Sequence, residues 1–226
     1  MPSIPVPDFG MLLIGQFDSP FVRRTAVAMN HYGLRFERRV LSVFTNFESL
    51  LELNPLGKVP VLQLNDEELL FDSRYILDHL ERQVSPERRL VPEHPLERVR
   101  VQRIDSVALG LAEKSYERGI EFSRRQPEKI DRVWVTRLED QIHSALSWLD
   151  ALNPDPWLYG NQMTQADITC AVAVTYLREK QPSVLAAEEY SALLRHNEYC
   201  ESKDAFTASA YSRTEATQSG WSPSSE

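Results

Sequence analysis

A serine and a proline mark the place where an apolar run changes into a helical pattern near the start of the chain. The run MLLI, residues 11–14, is followed by GQFDSP and then by FVRRTAVAMNHYG. Pro20 suits the first turn of a helix, where its missing N–H costs nothing, and Gly33 suits the end of that helix. Ser19 therefore stands at a helix N-terminus. Its hydroxyl serves there either as a helix cap or as a donor to a group bound at the positive end of the helix.

The segment NPLGKVPVL, residues 54–62, contains a second candidate site. Pro60 follows Val59 at the start of an apolar run, and proline is tolerated at the first residue of a strand. An X-Pro bond can also be cis where the fold requires it, at a cost of about 0.5–1 kcal/mol. Lys58 precedes this pair and is either a solvated lysine on a loop or a contact for an anion.

The pair Asp72-Ser73 opens a third segment, DSRYILDHLE, in which Ile76 and Leu80 recur at helical spacing. An Asp or Ser at this point is an ordinary N-cap. The free N–H groups at the start of a helix are also a binding site for a carboxylate or phosphate. The local sequence supports the two interpretations equally.

The overall composition excludes several classes of protein. The chain has 226 residues, of which 42% are hydrophobic and 26% charged, and these are the proportions of an ordinary globular protein. A net charge of −8 argues against nucleic acid, because phosphate binding requires a basic face. No apolar run approaches the roughly 18 residues of a membrane span, and MPSIPVPDFG lacks the pattern of a signal peptide. We therefore expect a cytoplasmic protein that binds neither nucleic acid nor membrane.

The cysteines and histidines show no pattern that is typical of a metal site. Cys170 and Cys200 do not form a CxxC pair, and none of the five histidines has ligand spacing with a cysteine or carboxylate. Cysteine also behaves as a small apolar residue. We expect two buried or surface thiols and no bound metal.

The apolar pattern predicts a small α/β domain in residues 11–84. A short turn at Asn65-Asp66 joins two strand-like runs, which must therefore be antiparallel. The order of elements is βαβ, a helix, then ββα, and the first βαβ unit must be parallel and right-handed. The predicted strands cover residues 11–17, 35–41, 59–64 and 68–71, and the predicted helices cover 20–32, 46–54 and 72–83.

The remainder of the chain predicts a second, all-helical domain. Apolar residues recur there at helical spacing, and the predicted apolar faces include Val99, Ile104, Val133 and Trp134. The predicted divisions are an extended arm at residues 1–10, a linker at 85–95, a helical domain at 96–200 and a partly disordered tail at 201–226.

A capping signal opens one of these helices. Thr164 precedes an apolar helical run and Asp167 follows three residues later, which is the spacing of a reciprocal N-cap with Asp in place of the usual Glu. Met163 and Ile168 stand at the two hydrophobic-staple positions. We expect a structural role for this feature, namely to start a buried helix at the correct residue.

Four of these segments, taken in order, resemble the cytosolic glutathione S-transferase family. SPFVRR is similar to the Ser/Cys-Pro-Phe start of the first helix in omega-class and theta-like bacterial members. NPLGKVPVL resembles the loop that carries the family's cis-proline, and FDSRYILDHLE resembles its acidic-Ser motif, with Asp in place of Glu. YGNQMTQADITCAV, residues 159–172, resembles its capping-box motif. The resemblance implies a thioredoxin-like α/β N-terminal domain followed by an all-α C-terminal domain.

The resemblance also implies glutathione as co-substrate. Ser19 is then a donor to the sulfur, because the thiolate rather than the thiol is the nucleophile. The bond before Pro60 is expected to be cis, which would turn the backbone of Val59 toward the peptide. The expected glutathione contacts are Lys58, Val59, Pro60, Asp72 and Ser73.

Other residues near Ser19 are assigned more coarsely. Of Arg23 and Arg24, we expect at most one to point toward the sulfur and the other to lie at the surface. The candidate pocket for an apolar electrophile consists of Phe17, Phe21 and Tyr116, although aromatic residues on helices more often belong to the core.

The leading functional hypothesis is a glutathione S-transferase that stabilises glutathione thiolate and adds it to a hydrophobic electrophile. The alternative is a GST-like protein that binds glutathione or a partner with little catalysis. A thiol–disulfide reductase is less well supported, because a serine occupies the position of the reactive cysteine. The resemblance implies a homodimer.

Overall fold

A computed structural model describes residues 10–64, 68–185 and 190–218 of the chain. The first half contains strands and helices in the predicted order. Its elements are β1 (Met11–Ile14), α1 (Pro20–Tyr32), β2 (Phe36–Arg39), α2 (Phe47–Leu51), β3 (Val61–Gln63), β4 (Leu69–Phe71) and α3 (Ser73–Glu81). The predicted arm before residue 10 and the turn at Asn65-Asp66 lie outside the described residues.

The four strands form one mixed sheet in the order β2-β1-β3-β4. β1 and β2 are parallel, whereas β3 is antiparallel to both β1 and β4. Helices α1 and α3 pack together, and their buried side chains share one apolar cluster with Leu13 and Leu62 of the sheet. The predicted βαβ-α-ββα arrangement is confirmed.

The second half is helical. Its elements are α4 (Pro95–Arg124), α5 (Arg132–Asp150), α6 (Gln165–Lys180), α7 (Ser191–Glu201), α8 (Asp204–Thr207) and α9 (Arg213–Gln218). α6 lies at the centre, since it packs against α4 and α7 of this half and against α1 of the first half. Along α6, the side chains from Gln165 to Val174 are all buried, so this helix joins the two halves.

The predicted N-cap of α6 is present. One carboxylate oxygen of Asp167 accepts hydrogen bonds from the Thr164 N–H and the Thr164 hydroxyl, both at 2.7 Å. Ile168 is fully buried, and Met163 packs against the same apolar cluster. The capping residues therefore start the central helix at Gln165.

One expectation for the second half differs from the structure. Val99 and Val133, expected on apolar faces, are 62% and 82% exposed, because helical spacing does not say which stripe of a helix meets a neighbour. The part of the predicted tail that the structure describes, up to residue 218, contains α8 and α9. The predicted disorder at the end of the tail concerns residues 219–226, which lie outside the described residues.

Within the described residues, no helix is both long and apolar enough to cross a membrane.

Candidate active site

A cavity of about 460 Å³ lies between the α/β half and the helical half. The six residues expected to contact glutathione all line it, although they come from three separate loops. They are Ser19, Lys58, Val59, Pro60, Asp72 and Ser73. The opposite wall is formed by α4 and by the end of α6, which contribute Tyr116, Tyr176 and Lys180.

Ser19 is the N-cap of α1, and it accepts a weak capping bond. Its Oγ lies 3.4 Å from the Val22 nitrogen, which donates to it, and its own backbone N–H donates to the Gln16 carbonyl at 3.1 Å. A hydroxyl that accepts an N–H still has its own proton to donate. The two interpretations of Ser19 are therefore compatible, because the same hydroxyl can cap the helix and donate into the cavity.

The turn before Ser19 depends on a glycine. Gly15 has φ of +136°, and a Cβ built there would lie 2.5 Å from a methyl group of Val22 and 3.1 Å from the Cβ of Val59. A side chain at this position would separate the Ser19 turn from the Val59 loop. Gly15 thus keeps two of the predicted glutathione-contacting loops side by side.

The Ser73 hydroxyl accepts a hydrogen bond from a buried arginine. Arg24 donates from Nη1 to the Ser73 Oγ at 3.1 Å, from Nε to the Thr169 Oγ1 at 3.0 Å, and from Nη2 to Asp105 at 2.9 Å. Because Ser73 accepts from Arg24, its hydroxyl proton remains available for an acceptor on the cavity side. Ser73 is also the first residue of α3, so N–H groups of that helix start are free for an anion.

Asp72 carries both a capping contact and an exposed carboxylate. Its Oδ1 accepts from the Arg74 N–H at 2.9 Å, and its backbone has φ of +67°. The side chain is 42% exposed, and the Arg74 guanidinium lies between Asp72 and Glu113 of α4 at 3.5 and 3.4 Å. Within the part of the chain that the structure describes, the Asp72 carboxylate at the rim of the cavity is thus paired with one solvated arginine.

The Val59-Pro60 bond is cis, as expected. β3 begins at Val61, so the backbone of Val59 lies outside the strand ladder. Asn54 is buried and donates from Nδ2 to the Lys58 carbonyl at 3.0 Å, which holds the loop from behind. Lys58 itself is exposed at the cavity wall.

Arg23 and Arg24 are both buried, so the expectation that one of them lies at the surface is wrong. Each is 1% exposed, and neither lines the cavity. Arg23 forms two hydrogen bonds to the Glu201 carboxylate and a third, at 2.7 Å, to the Ser209 carbonyl. Both arginines pair with carboxylates of the helical half, which are Glu201 for Arg23 and Asp105 for Arg24. These partners are far away along the chain, so no short-range sequence pattern predicts them.

The three aromatic candidates for the electrophile pocket are placed differently. Phe21 and Tyr116 line the cavity, whereas Phe17 does not. Phe17 is buried in the core of the α/β half, and the Arg38 guanidinium lies 3.3 Å from its ring centre. The neighbouring residues Gln16 and Asp18 both line the cavity, whereas the Phe17 side chain points away from it.

Sequence reasoning missed Tyr176 and Lys180, which complete the wall opposite Ser19. The Lys180 ammonium lies 3.0 Å from the Asp18 carboxylate, and the two side chains are 3% and 13% exposed. Burial raises the pKa of Asp18, although Lys180 opposes that shift. Burial likewise lowers the pKa of Lys180. In the sequence, Lys180 is an ordinary basic residue in the last turn of a helix. Its contact with Asp18 depends on the tertiary structure, because the two residues are 162 positions apart.

The position of Asp18 in the cavity predicts an effect on the pKa of the bound glutathione thiol. A carboxylate beside a thiolate disfavours it, so Asp18→Asn should lower the pKa of bound glutathione thiol by up to about 1 unit. Ultraviolet absorbance of the thiolate, followed against pH in the bound complex, measures this change. Glu117→Gln is the control, since Glu117 lies on the far wall and is paired with Lys114. A thiol pKa that Asp18→Asn leaves unchanged would mean that Lys180 already cancels the Asp18 charge.

The two cysteines are not placed for redox chemistry. Both are fully buried, and burial raises the pKa of each thiol far above its usual range. Reactive cysteines need the opposite environment, with an exposed sulfur and a lowered pKa. Among the described residues, no three His, Cys, Asp or Glu side chains form a group that could hold a metal ion.

Comparison with known proteins agrees with this arrangement. Residues 13–88 match the family model of the glutathione S-transferase N-terminal domain, and residues 132–196 match that of the C-terminal domain. The GST-like protein YibF of Escherichia coli (strain K12), itself uncharacterised, is 31% identical over 168 residues, which are 74% of this chain and 82% of YibF.

Solved structures show the same fold over nearly the whole chain. A glutathione S-transferase from Methylobacterium radiotolerans, in complex with glutathione sulfonate, is 26% identical with a TM-score of 0.83 and covers 90% of this chain and 96% of its own. A family member from Pseudomonas fluorescens with bound S-(propanoic acid)-glutathione is 26% identical with a TM-score of 0.78, over 88% of this chain and 98% of its own.

The chain therefore belongs to the glutathione S-transferase family. The predicted fold, a thioredoxin-like domain followed by a helical domain, and the predicted class, a glutathione transferase, are confirmed at the level of the family.

Proposed function

We propose that this protein binds glutathione in the cavity between its two halves and stabilises the thiolate through the Ser19 hydroxyl. The thiolate then adds to a hydrophobic electrophile held against α4 and α6. The observation that carries the proposal is the convergence of two serines, each at a helix N-terminus and each accepting a hydrogen bond from the protein side. Such serines are left as donors toward the cavity.

The magnitudes are sufficient for thiolate formation. A free thiol has a pKa near 8.5, and lowering it by about 2 units requires roughly 2.7 kcal/mol. A hydrogen bond to a charged group contributes about 1.5–3 kcal/mol, and a helix N-terminus adds about 0.3–1 kcal/mol. The two effects at Ser19 together cover this requirement.

The other contacts follow from the chemistry of the tripeptide. The Ser73 hydroxyl and the N–H groups at the start of α3 suit the γ-glutamyl carboxylate, and the exposed Asp72 carboxylate suits the ammonium. The Val59 backbone suits the cysteinyl peptide group, and Lys58 suits the glycyl carboxylate. Relatives with glutathione sulfonate or S-(propanoic acid)-glutathione bound support this ligand.

Phe21, Tyr116 and Tyr176 are the proposed surface for the electrophile. Tyr116 is half-buried and burial raises its pKa, so its hydroxyl stays protonated and neutral. These three side chains therefore offer aromatic faces and neutral hydroxyl groups, which suit an aryl or alkenyl electrophile.

The proposal predicts that glutathione stabilises the folded protein. At ten times its Kd, glutathione should add about 1.4 kcal/mol, which raises the melting temperature by roughly 3–6 °C. Thermal unfolding with and without glutathione measures the shift, and conjugation of a generic aryl chloride measures turnover.

Cysteinylglycine is the matched control ligand, because it keeps the thiol and the glycyl carboxylate but lacks the γ-glutamyl group. It should shift the melting temperature far less than glutathione does. Binding without turnover of several electrophiles would support the alternative, a GST-like binding protein. Equal shifts from the two thiols would contradict the assignment of Asp72 and Ser73.

We also propose that the protein is a cytoplasmic homodimer. Its cysteines are free and buried, which suits a compartment where disulfides are rare. In the isolated chain, α3 and α4 leave Tyr75, Leu96 and Val99 largely exposed, and large exposed apolar residues are typical of an interface when they are contiguous. The mass in solution, against 26.0 kDa for one chain, tests the dimer.

A further inference from the structure

The chain after α7 returns to the α/β half and contacts the loop that carries Ser19. We call residues 209–218, which include α9, the return segment. The Ser209 carbonyl accepts from Arg23 of α1, and the Ser209 hydroxyl accepts from Asn30 at 2.7 Å. Arg213 pairs with Glu179 of α6 at 2.6 Å. The return segment is thus attached to both halves of the molecule.

Glu215 is the residue of this segment that reaches the Ser19 loop. Its Oε2 accepts a hydrogen bond from the Phe17 backbone N–H at 2.7 Å. Its two carboxylate oxygens also accept from the Arg38 guanidinium of β2, at 3.0 and 3.1 Å. The Glu215 carbonyl accepts from the Gln16 side chain at 2.7 Å. Two consecutive residues just before Ser19 are therefore held by one glutamate.

The Phe17 N–H needs this partner. β1 ends at Ile14 and α1 begins at Pro20, so the N–H of Phe17 belongs to neither the sheet nor the helix. Phe17 is buried, and an unsatisfied buried donor costs about 1–3 kcal/mol. Without the Glu215 carboxylate, the loop gains by turning this N–H toward water, which would rotate the residues that follow it.

The loop is short enough to transmit that movement to Ser19. The Ser19 N–H donates to the Gln16 carbonyl at 3.1 Å, so the two ends of the turn are linked directly. Arg38 also stacks on the Phe17 ring while it pairs with Glu215. Ring, guanidinium and carboxylate therefore fix the loop together, on the side away from the cavity.

We propose that Glu215 is a positioning residue for the transferase site, holding the Phe17 N–H so that the Ser19 hydroxyl faces the sulfur of glutathione. The inference rests on the proposed function of Ser19. It assigns a role to a segment whose residues do not line the cavity.

A positioning role and a purely electrostatic role of Glu215 predict opposite changes in the pKa of the bound thiol when the carboxylate is removed. Glu215 is negative, and its charge contributes to the raised pKa of nearby Asp18. If Glu215 acted only through its charge, removing it would favour the thiolate and lower the pKa of the bound thiol. If it acts by positioning Ser19, removing it weakens the donor and raises that pKa.

Three variants test the inference. Glu215→Ala should raise the pKa of bound glutathione thiol and lower kcat by about 10-fold. KM for glutathione should change little, because the γ-glutamyl and peptide contacts lie on other loops. Glu215→Gln keeps an oxygen for the Phe17 N–H and should recover most of kcat. Arg213→Ala, on the same helix, loses only an exposed ion pair and should match the wild type.

Hydrogen exchange of the Phe17 amide separates this inference from the proposed function, because it needs no glutathione. Exchange should accelerate in Glu215→Ala and not in Arg213→Ala. Wild type that neither binds nor turns over glutathione would contradict the proposed function. An active wild type with unchanged exchange and thiol pKa in Glu215→Ala would overturn the inference alone, as would a lowered thiol pKa in that variant.

Discussion

Replacing Ser19 with alanine should lower kcat for conjugation by about 10- to 100-fold and raise the pKa of bound glutathione thiol. The variant removes a hydrogen bond to a charged sulfur, which contributes about 1.5–3 kcal/mol, and each 1.36 kcal/mol changes the rate tenfold. The affinity for glutathione should change little, because Val59, Asp72 and Ser73 are untouched. Steady-state kinetics and thiolate absorbance against pH measure the two effects.

Ser19→Thr and Ser123→Ala are the matched controls. Threonine keeps both the hydroxyl and the N-cap, so it should retain much of the activity. Ser123 lies on the same cavity, but its hydroxyl already donates to the Gly119 carbonyl of its own helix at 2.7 Å. Its removal should leave the thiol pKa unchanged.

Unchanged turnover in Ser19→Ala would remove Ser19 from the sulfur role. The hydroxyls of Tyr116 and Tyr176 on the opposite wall would then be the candidates. Loss of activity through unfolding is distinguished by thermal melting, because the capping bond of Ser19 is long and its loss should cost at most about 1 kcal/mol.

Replacing Asp167 with alanine should produce the largest loss of stability, about 3–5 kcal/mol in the free energy of unfolding. Asp167 is fully buried. Besides the N–H and hydroxyl of Thr164, it accepts from the Leu158 N–H at 2.8 Å and from the His196 Nε2 at 2.9 Å. Alanine leaves these donors buried without their acceptor. Chemical denaturation of the variant and the wild type measures the difference.

Asp167→Asn should be nearly as harmful, because an amide presents donors where one carboxylate oxygen accepted two. Asp150→Ala is the control, since within the described residues the Asp150 carboxylate accepts one hydrogen bond, from the Leu193 N–H at 2.8 Å, and its loss should cost about 1 kcal/mol. A loss below about 1 kcal/mol in Asp167→Ala would mean that the start of α6 finds other acceptors.

Much of the fold was predictable because its signals are local. Pro20 and Gly33 bound α1, and the Asp72-Ser73 pair starts α3, since caps act within one turn of a helix. The cap of α6 was expected from the spacing of Thr164 and Asp167, and the cis bond at Pro60 from a motif that resembles a family. The same motifs grouped the six cavity-lining residues that come from three loops of the α/β half.

The assignments of Val99 and Val133 to buried faces, and of Phe17 to the cavity, were wrong. Val99 and Val133 have the spacing of a buried face, but periodicity gives the angle around a helix and not the presence of a neighbour. Phe17 has the character of a pocket residue, yet in this short turn Gln16 and Asp18 face the cavity and Phe17 faces the core.

The sequence by itself determined the order of the elements, the helix boundaries at their caps and the loops of the α/β half that line the cavity. The tertiary structure alone decided the long-range polar contacts. Arg24 meets Asp105, Lys180 meets Asp18, and Glu215 meets the Phe17 N–H, at separations of 81, 162 and 198 residues. A buried charge must find a partner, but its own neighbours in sequence do not identify that partner, because folding brings the two together.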